Sequence, residues 1–172
     1  MIGRGGSVHQ PLRGGSEPSP ASIESLRELP PDRVGELLAD SEATGSRIVR
    51  RLVDEWAART NRFDRPGEAL FGASMAGRLV GVCGLNVDPH AGDPRVGRVR
   101  HLYVLTSLRG HGVGRQLVRR VIEVAEGRFD TLRLRTSNPA AARLYEATGF
   151  RARDDERECT HVMDLPRRPL ST

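Results

Sequence analysis

Apolar and polar positions change period several times along the chain, and each change marks an element. Residues 22–29 alternate loosely, as a short half-buried strand does, and Pro30-Pro31-Asp32 ends the run. Two helices are expected next, near 32–43 and 45–60. In the second, Ile48, Leu52, Val53 and Trp56 recur once per turn and make one apolar face, while Arg47, Arg50, Arg51, Asp54 and Glu55 occupy the rest. Trp56 is expected to pack into the core. Alternation returns over residues 69–75 and 78–87, joined at Ala76-Gly77 by a turn short enough for a hairpin. A polar loop over 88–94 leads to another strand over 96–105.

The period then lengthens. Leu117, Val118, Val121, Ile122 and Ala125 form the apolar stripe of a helix running from Gly112 to about Glu126, and residues 131–136 alternate again as a strand. A short helix follows with its limits written in the sequence: Asn138 as cap, Pro139 at the first helical position and Gly149 just past the end. Residues 150–153 and 159–165 read as closing strands. These elements predict one α/β domain over residues 21–166. Residues 1–20, with Gly3, Gly5, Gly6, Gly14, Gly15, Pro11, Pro18 and Pro20, carry too few apolar side chains to offset ordering entropy and are expected to be a tail, as are residues 167–172 at the other end.

Composition narrows the function classes. The formal charge of +5 suggests nucleic acid or an acidic membrane, yet all 27 basic residues are arginine and they are spread over every segment instead of forming one block. An arginine-driven nucleic-acid binder is therefore the least favoured reading. No apolar run approaches the roughly 18 residues of a membrane span, and no secretion signal is legible, so a cytoplasmic protein without a membrane partner is expected. Cys83 and Cys159 fall in separate strand-like stretches, which argues against a disulfide, and the histidines have no zinc spacing, so no metal is expected.

The chemistry concentrates in Arg109-Gly110-His111-Gly112-Val113-Gly114-Arg115, a glycine turn between a strand and an amphipathic helix. Unpaired N–H groups and the helix dipole favour an anion there, and glycines let it approach the backbone. A Walker loop requires lysine, which this chain lacks. A dinucleotide fingerprint requires a glycine where Arg115 or Leu117 stands. A turn with glycines for geometry alone is the remaining alternative.

Arg109-x-x-Gly112-x-Gly114, preceded by Leu102-Tyr103-Val104 and followed by Asn138 and then Ala141-x-x-Leu144-Tyr145-Glu146-x-x-Gly149-Phe150, resembles the GNAT superfamily of acetyl-CoA-dependent N-acetyltransferases. The resemblance covers about residues 96–153. It implies a mixed, mostly antiparallel sheet flanked by helices and splayed between strands 4 and 5. The coenzyme arm would lie in that gap against the backbone of Leu102, Tyr103 and Val104, near Asn138 and Ala141, with its pyrophosphate on the N–H groups from Arg109 to Arg115. His111 would offer only its backbone. Thr106 stands where the family commonly has proline. The resemblance further implies direct attack by an amine in a ternary complex, with Tyr145 as the general acid that protonates the leaving thiolate. Many relatives carry a glutamate just before the segment matching Leu102-Tyr103-Val104. Here His101 is the substitute general base, with a histidine that merely packs as the alternative.

The acceptor is expected to be a primary amine of a small molecule or peptide. Its pocket is expected from the two helices after Leu29, residues 60–67 and the last two strands, with Arg62, Phe63 and Asp54 as candidates. A homodimer is compatible with the exposed edges. The competing function is a CoA-binding sensor domain that has lost turnover.

Overall fold

A computed structural model describes residues 20–167. The tail expected over residues 1–20 and the end expected over 167–172 therefore lie, except for Pro20 and Arg167, outside the described residues. The elements run β1 (Ser22–Ser25), α1 (Pro31–Ala43), α2 (Ile48–Ala57), β2 (Ala69–Met75), β3 (Arg78–Val87), β4 (Val96–Val104), α3 (Val113–Ala125), β5 (Thr131–Leu134), α4 (Pro139–Ala147), β6 (Arg151–Glu156) and β7 (Cys159–Asp164), with a 3-10 turn at Thr106–Leu108. None of the described helices is long and apolar enough to cross a membrane.

The seven strands form one sheet in the order β1-β2-β3-β4-β5-β7-β6. Every pairing is antiparallel except β4 with β5, which is parallel and reached through α3. That parallel pairing covers only Val96, Gly97 and Arg98 against Thr131, Leu132 and Arg133. Beyond Arg98 the two strands diverge, so residues 99–104 keep β3 on one side and have no strand on the other. This is the splay expected between strands 4 and 5.

Packing explains why the sheet is sandwiched where it is. Leu117, Val118, Val121 and Ala125 of α3 are fully buried on one face, and Leu37 of α1 with Val49 and Leu52 of α2 on the other. Alternation along β4 separates the faces: Tyr103 reaches Asp40 of α1, while Val104 lies 3.7 Å from the position a Cβ would take at Gly114 of α3. At Ala76 and Gly77 φ is 49° and 78°, the pair of left-handed residues that a two-residue hairpin turn demands.

Several boundaries differ from the sequence reading. β1 ends at Ser25, although the Leu26 N–H still bonds Leu70 O at 2.8 Å, and Leu26 and Leu29 beyond it are buried. In α2 the face is rotated: Ile48 is 39% exposed and Val49 is buried in its place, with Trp56 only partly covered against the core. Tertiary packing decides that rotation, since both residues suit a helix equally. β5 ends at Leu134 because the Thr136 N–H turns aside to donate to Thr160 Oγ1 at 3.0 Å. β6 begins and ends later than the expected 150–153, and β7 ends one residue early.

Candidate active site

The turn before α3 has the conformation its glycines allow. Gly110 and Gly112 have φ of 80° and 84°, and Gly112 is the left-handed N-cap with no side-chain cap above it. The first intrahelical bond runs from Gln116 N to Gly112 O at 3.0 Å. None of the N–H groups of residues 110–115 donates to a described backbone carbonyl, so six consecutive donors stand unpaired at the positive end of the helix dipole. Gly114 has a different reason from the one its motif suggests. A Cβ there would lie 3.0 Å from Leu144 Cδ1, so this glycine lets α3 pack against α4.

Arg109 does not extend into the turn. Its Nε donates to Val104 O at 3.1 Å and its guanidinium lies 5.1 Å from the Tyr103 ring centre, bracing the end of β4. The positive charge at this turn comes from backbone dipoles and the exposed Arg115. His111 is exposed and its Nδ1 meets Arg109 O at 3.1 Å, a contact that shapes the turn. Asp40, unremarked in the sequence, holds the whole corner. Its carboxylate accepts from Tyr103 Oη at 2.6 Å and from the Thr106 N–H and hydroxyl at 3.0 and 2.8 Å. Burial works against its ionisation, but these donors and nearby Arg109 prevail and hold its pKa below the usual carboxylate range. Proline at position 106 would lack the N–H, so threonine belongs with Asp40.

The β4 edge leads directly to this turn. Leu105 N bonds Val80 O on the β3 side at 2.9 Å, so by strand alternation the backbone groups of Leu102 and Val104 point to the open β5 side. Across the gap, Asn138 caps α4, its Oδ1 accepting from Ala140 N at 2.9 Å and Ala141 N at 3.3 Å. Ala141 is half-buried on the first turn of the same helix. Tyr145 lies one turn further and is 5% exposed, edge-on to Phe150 with ring centres 5.6 Å apart. Its hydroxyl bonds to no described residue and, unlike Arg133 Nε, is not shut off from the surroundings. Burial first, and then the neighbouring Cys83, push its pKa well above 10, so the phenol remains a proton donor.

The sequence reading missed the constellation around His101. Opposite Cys83 the β3–β4 register slips, and His101 adopts φ 58° in the resulting bulge. Two consecutive side chains consequently reach one carboxylate, Glu55 of α2: Arg100 Nη2 lies 2.8 Å from Oε1 and His101 Nε2 3.3 Å from Oε2. Asn61 Nδ2 also donates to Oε2, at 3.3 Å, and pairs reciprocally with Asn86 at 2.9 Å. Phe63 stands edge-on to His101 with centres 6.1 Å apart. Of the other candidates, Arg62 folds back over Trp56 at 5.8 Å, and Asp54 is exposed beside Arg50. Nothing in a linear pattern separates Glu55 from the solvated charges around it on α2.

Burial, then Arg100, lower the His101 pKa from 6.5 to about 4, with Glu55 opposing in part. The folded state thus favours neutral imidazole. That contribution to stability is complete above pH 6.5 and is lost as pH falls toward 4. Between these limits wild type is expected to lose on the order of 2–3 kcal/mol more stability than His101→Gln, measured by urea unfolding at a series of pH values. Equal losses in both proteins would contradict this.

Comparison with known proteins places this geometry in a family. Residues 34–150 match the model of the Acetyltransferase (GNAT) family. The chain is 34% identical over 106 residues to the N-alpha-acetyltransferase RimI of Mycobacterium tuberculosis, a match covering 56% of this chain and 62% of that relative, less than two thirds of its length. A solved structure from Exiguobacterium sp. superposes with TM-score 0.73 at 28% identity, covering 84% of this chain and 93% of its own. A GNAT family acetyltransferase from Elizabethkingia anophelis, solved with acetyl-CoA bound, shares the fold at TM-score 0.58 and 20% identity, over 86% and 99% of the two chains. With a family match spanning both the β4–α3 turn and α4, the chain belongs to the GNAT acetyltransferase family.

Proposed function

We propose that this chain transfers the acetyl group of acetyl-CoA to a primary amine by direct attack in a ternary complex. One observation carries the reading: the edge of β4 left open by the splay leads, through the turn at residues 105–109, to six unpaired amides at the start of α3, and Tyr145 on α4 carries a hydroxyl with no described partner. The amides suit a pyrophosphate, and the backbone groups of Leu102 with the N–H of Val104 suit the amide-bearing arm that follows it, the Val104 carbonyl being taken by Arg109 Nε. Acetyl-CoA supplies the activated thioester. His101 takes the proton released by the amine, and Tyr145 supplies one to the thiolate.

The acceptor is a small-molecule amine or the amino terminus of a peptide, and the name of the mycobacterial relative supports including peptides. Arg50, Arg95, Arg100, Arg120 and Arg153 all face carboxylates, which supports a reading without nucleic acid. Thiol release from acetyl-CoA should appear with at least one member of a panel containing spermidine, aminoglycosides, free amino acids and peptides with free amino termini. Calorimetric binding of CoA without release across the panel would favour the sensor reading, in which the missing strand glutamate marks lost turnover. No binding of CoA or acetyl-CoA would refute both.

A further inference from the structure

Glu55 lies on the polar face of α2 and would pass for a solvated charge, yet its carboxylate is the meeting point of β4, α2 and the 60–67 loop. We propose that Glu55 is a positioning residue for His101: its carboxylate holds the imidazole through Nε2 and so presents Nδ1 as the acceptor for the amine's proton. The proposal rests on the acetyl-transfer reading above and assigns a role within it.

The argument is one of donors and acceptors. An ionised carboxylate can only accept, so the 3.3 Å contact requires the proton of neutral His101 to sit on Nε2, which leaves the lone pair on Nδ1. No described residue bonds Nδ1, and it is not among the atoms shut off from the surroundings. Glu55 itself is poorly placed to be the base. Arg100, His101 and Asn61 all occupy its oxygens. Burial opposes its charge, but Arg100 and His101 outweigh that and hold its pKa below the usual range. The charged groups facing the imidazole are Glu55, Arg100 and Arg51.

The bulge makes the arrangement possible. Regular alternation would send Arg100 and His101 to opposite faces, whereas the slip at Cys83 and the left-handed φ of His101 bring both to Glu55. Phe63 then limits rotation of the ring from its edge. In the reaction the amine nitrogen bonds to the thioester carbonyl carbon and its proton passes to Nδ1. The C–S bond breaks, the sulfur keeps the electron pair, and the Tyr145 hydroxyl delivers a proton to it. His101 then loses its proton to solvent, from which Tyr145 recovers one. While the imidazolium exists, Glu55 is its counter-ion.

Nitrogen NMR of isotope-labelled protein reads the tautomer directly, without turnover. Wild type at neutral pH should show His101 protonated on Nε2, and Glu55→Gln, whose amide can also donate, should shift part or all of the population to Nδ1–H. With acetyl-CoA and either spermidine or a peptide with a free amino-terminal alanine, Glu55→Gln should lower kcat by at least roughly tenfold with the KM for acetyl-CoA unchanged, and Glu55→Asp should recover part of the loss. A wild-type Nδ1–H tautomer overturns the proposal, and so does full turnover in Glu55→Gln. Undiminished turnover in His101→Ala with the Nε2–H tautomer present in wild type would overturn the base assignment on which the proposal stands.

Discussion

Tyr145→Phe should lower kcat for acetyl transfer by roughly a hundred- to ten-thousand-fold while leaving coenzyme binding and melting temperature close to wild type. The substitution removes one oxygen. The ring stays 5% exposed against Phe150, and the hydroxyl has no described partner whose loss could unsettle the fold. Only a partner arriving with the reaction can feel its absence. The raised pKa of the phenol makes it a weaker acid than free tyrosine, which would count against it if the thiolate formed in bulk water. The gap that penalises a phenolate penalises a thiolate also, so the difference between the two acids, which governs the transfer, changes less than either value. Single-turnover kinetics with acetyl-CoA, alongside calorimetry of CoA binding, separates the step from the binding. A kcat within threefold of wild type, a bound set at roughly 0.6 kcal/mol of barrier, would remove Tyr145 from the mechanism.

How much of this was legible in the sequence depended on how local the interaction is. The glycine turn before α3 is contiguous, so its glycines, helix start and preceding strand could all be read together. The Asn138 cap and the Pro139 start of α4 lie within four residues of their partners and were likewise visible. Asp40 and Glu55 reach across separations of 66 and 46 residues, from helix faces where a carboxylate looks like any other solvated charge. His101 could be nominated by position, but its orientation could not, because a bulge is a slip between two strands and neither strand alone encodes it. The same limit explains Ile48 and Val49. Periodicity offered a stripe, and the sheet beneath α2 chose which edge of the stripe to bury.

The largest stability effect is expected outside the site, at the point where the sheet begins to open. Arg98 and Arg133 are register partners in the last β4–β5 pair, with side chains only 10% and 13% exposed, so two guanidinium groups lie side by side with little water to separate them. Asp88, whose side chain is fully buried, lies between them: Oδ2 is 3.2 Å from Arg98 Nη1 and 3.7 Å from Arg133 Nε. Its other oxygen accepts from the backbone N–H of His90 at 2.7 Å and of Ala91 at 3.1 Å, holding the loop that feeds β4. Glu156 pairs with Arg133, and the Glu158 carbonyl accepts from Arg98 at 2.9 Å, but together they supply one negative charge for two positive ones. Asp88→Ala would leave that imbalance buried, at a cost of about 3–5 kcal/mol. For a domain of this size that corresponds to a fall in Tm on the order of 10 °C. Asp88→Asn keeps an acceptor for the loop while losing the charge, so it should fall between alanine and wild type. Because the divergence of β4 and β5 starts at this pair, the alanine variant should also bind CoA more weakly at temperatures where it is still folded. An unfolding free energy from urea within about 1 kcal/mol of wild type for Asp88→Ala would mean that the two arginines find water or other carboxylates, and that the opening of the sheet is held by its backbone pairing alone.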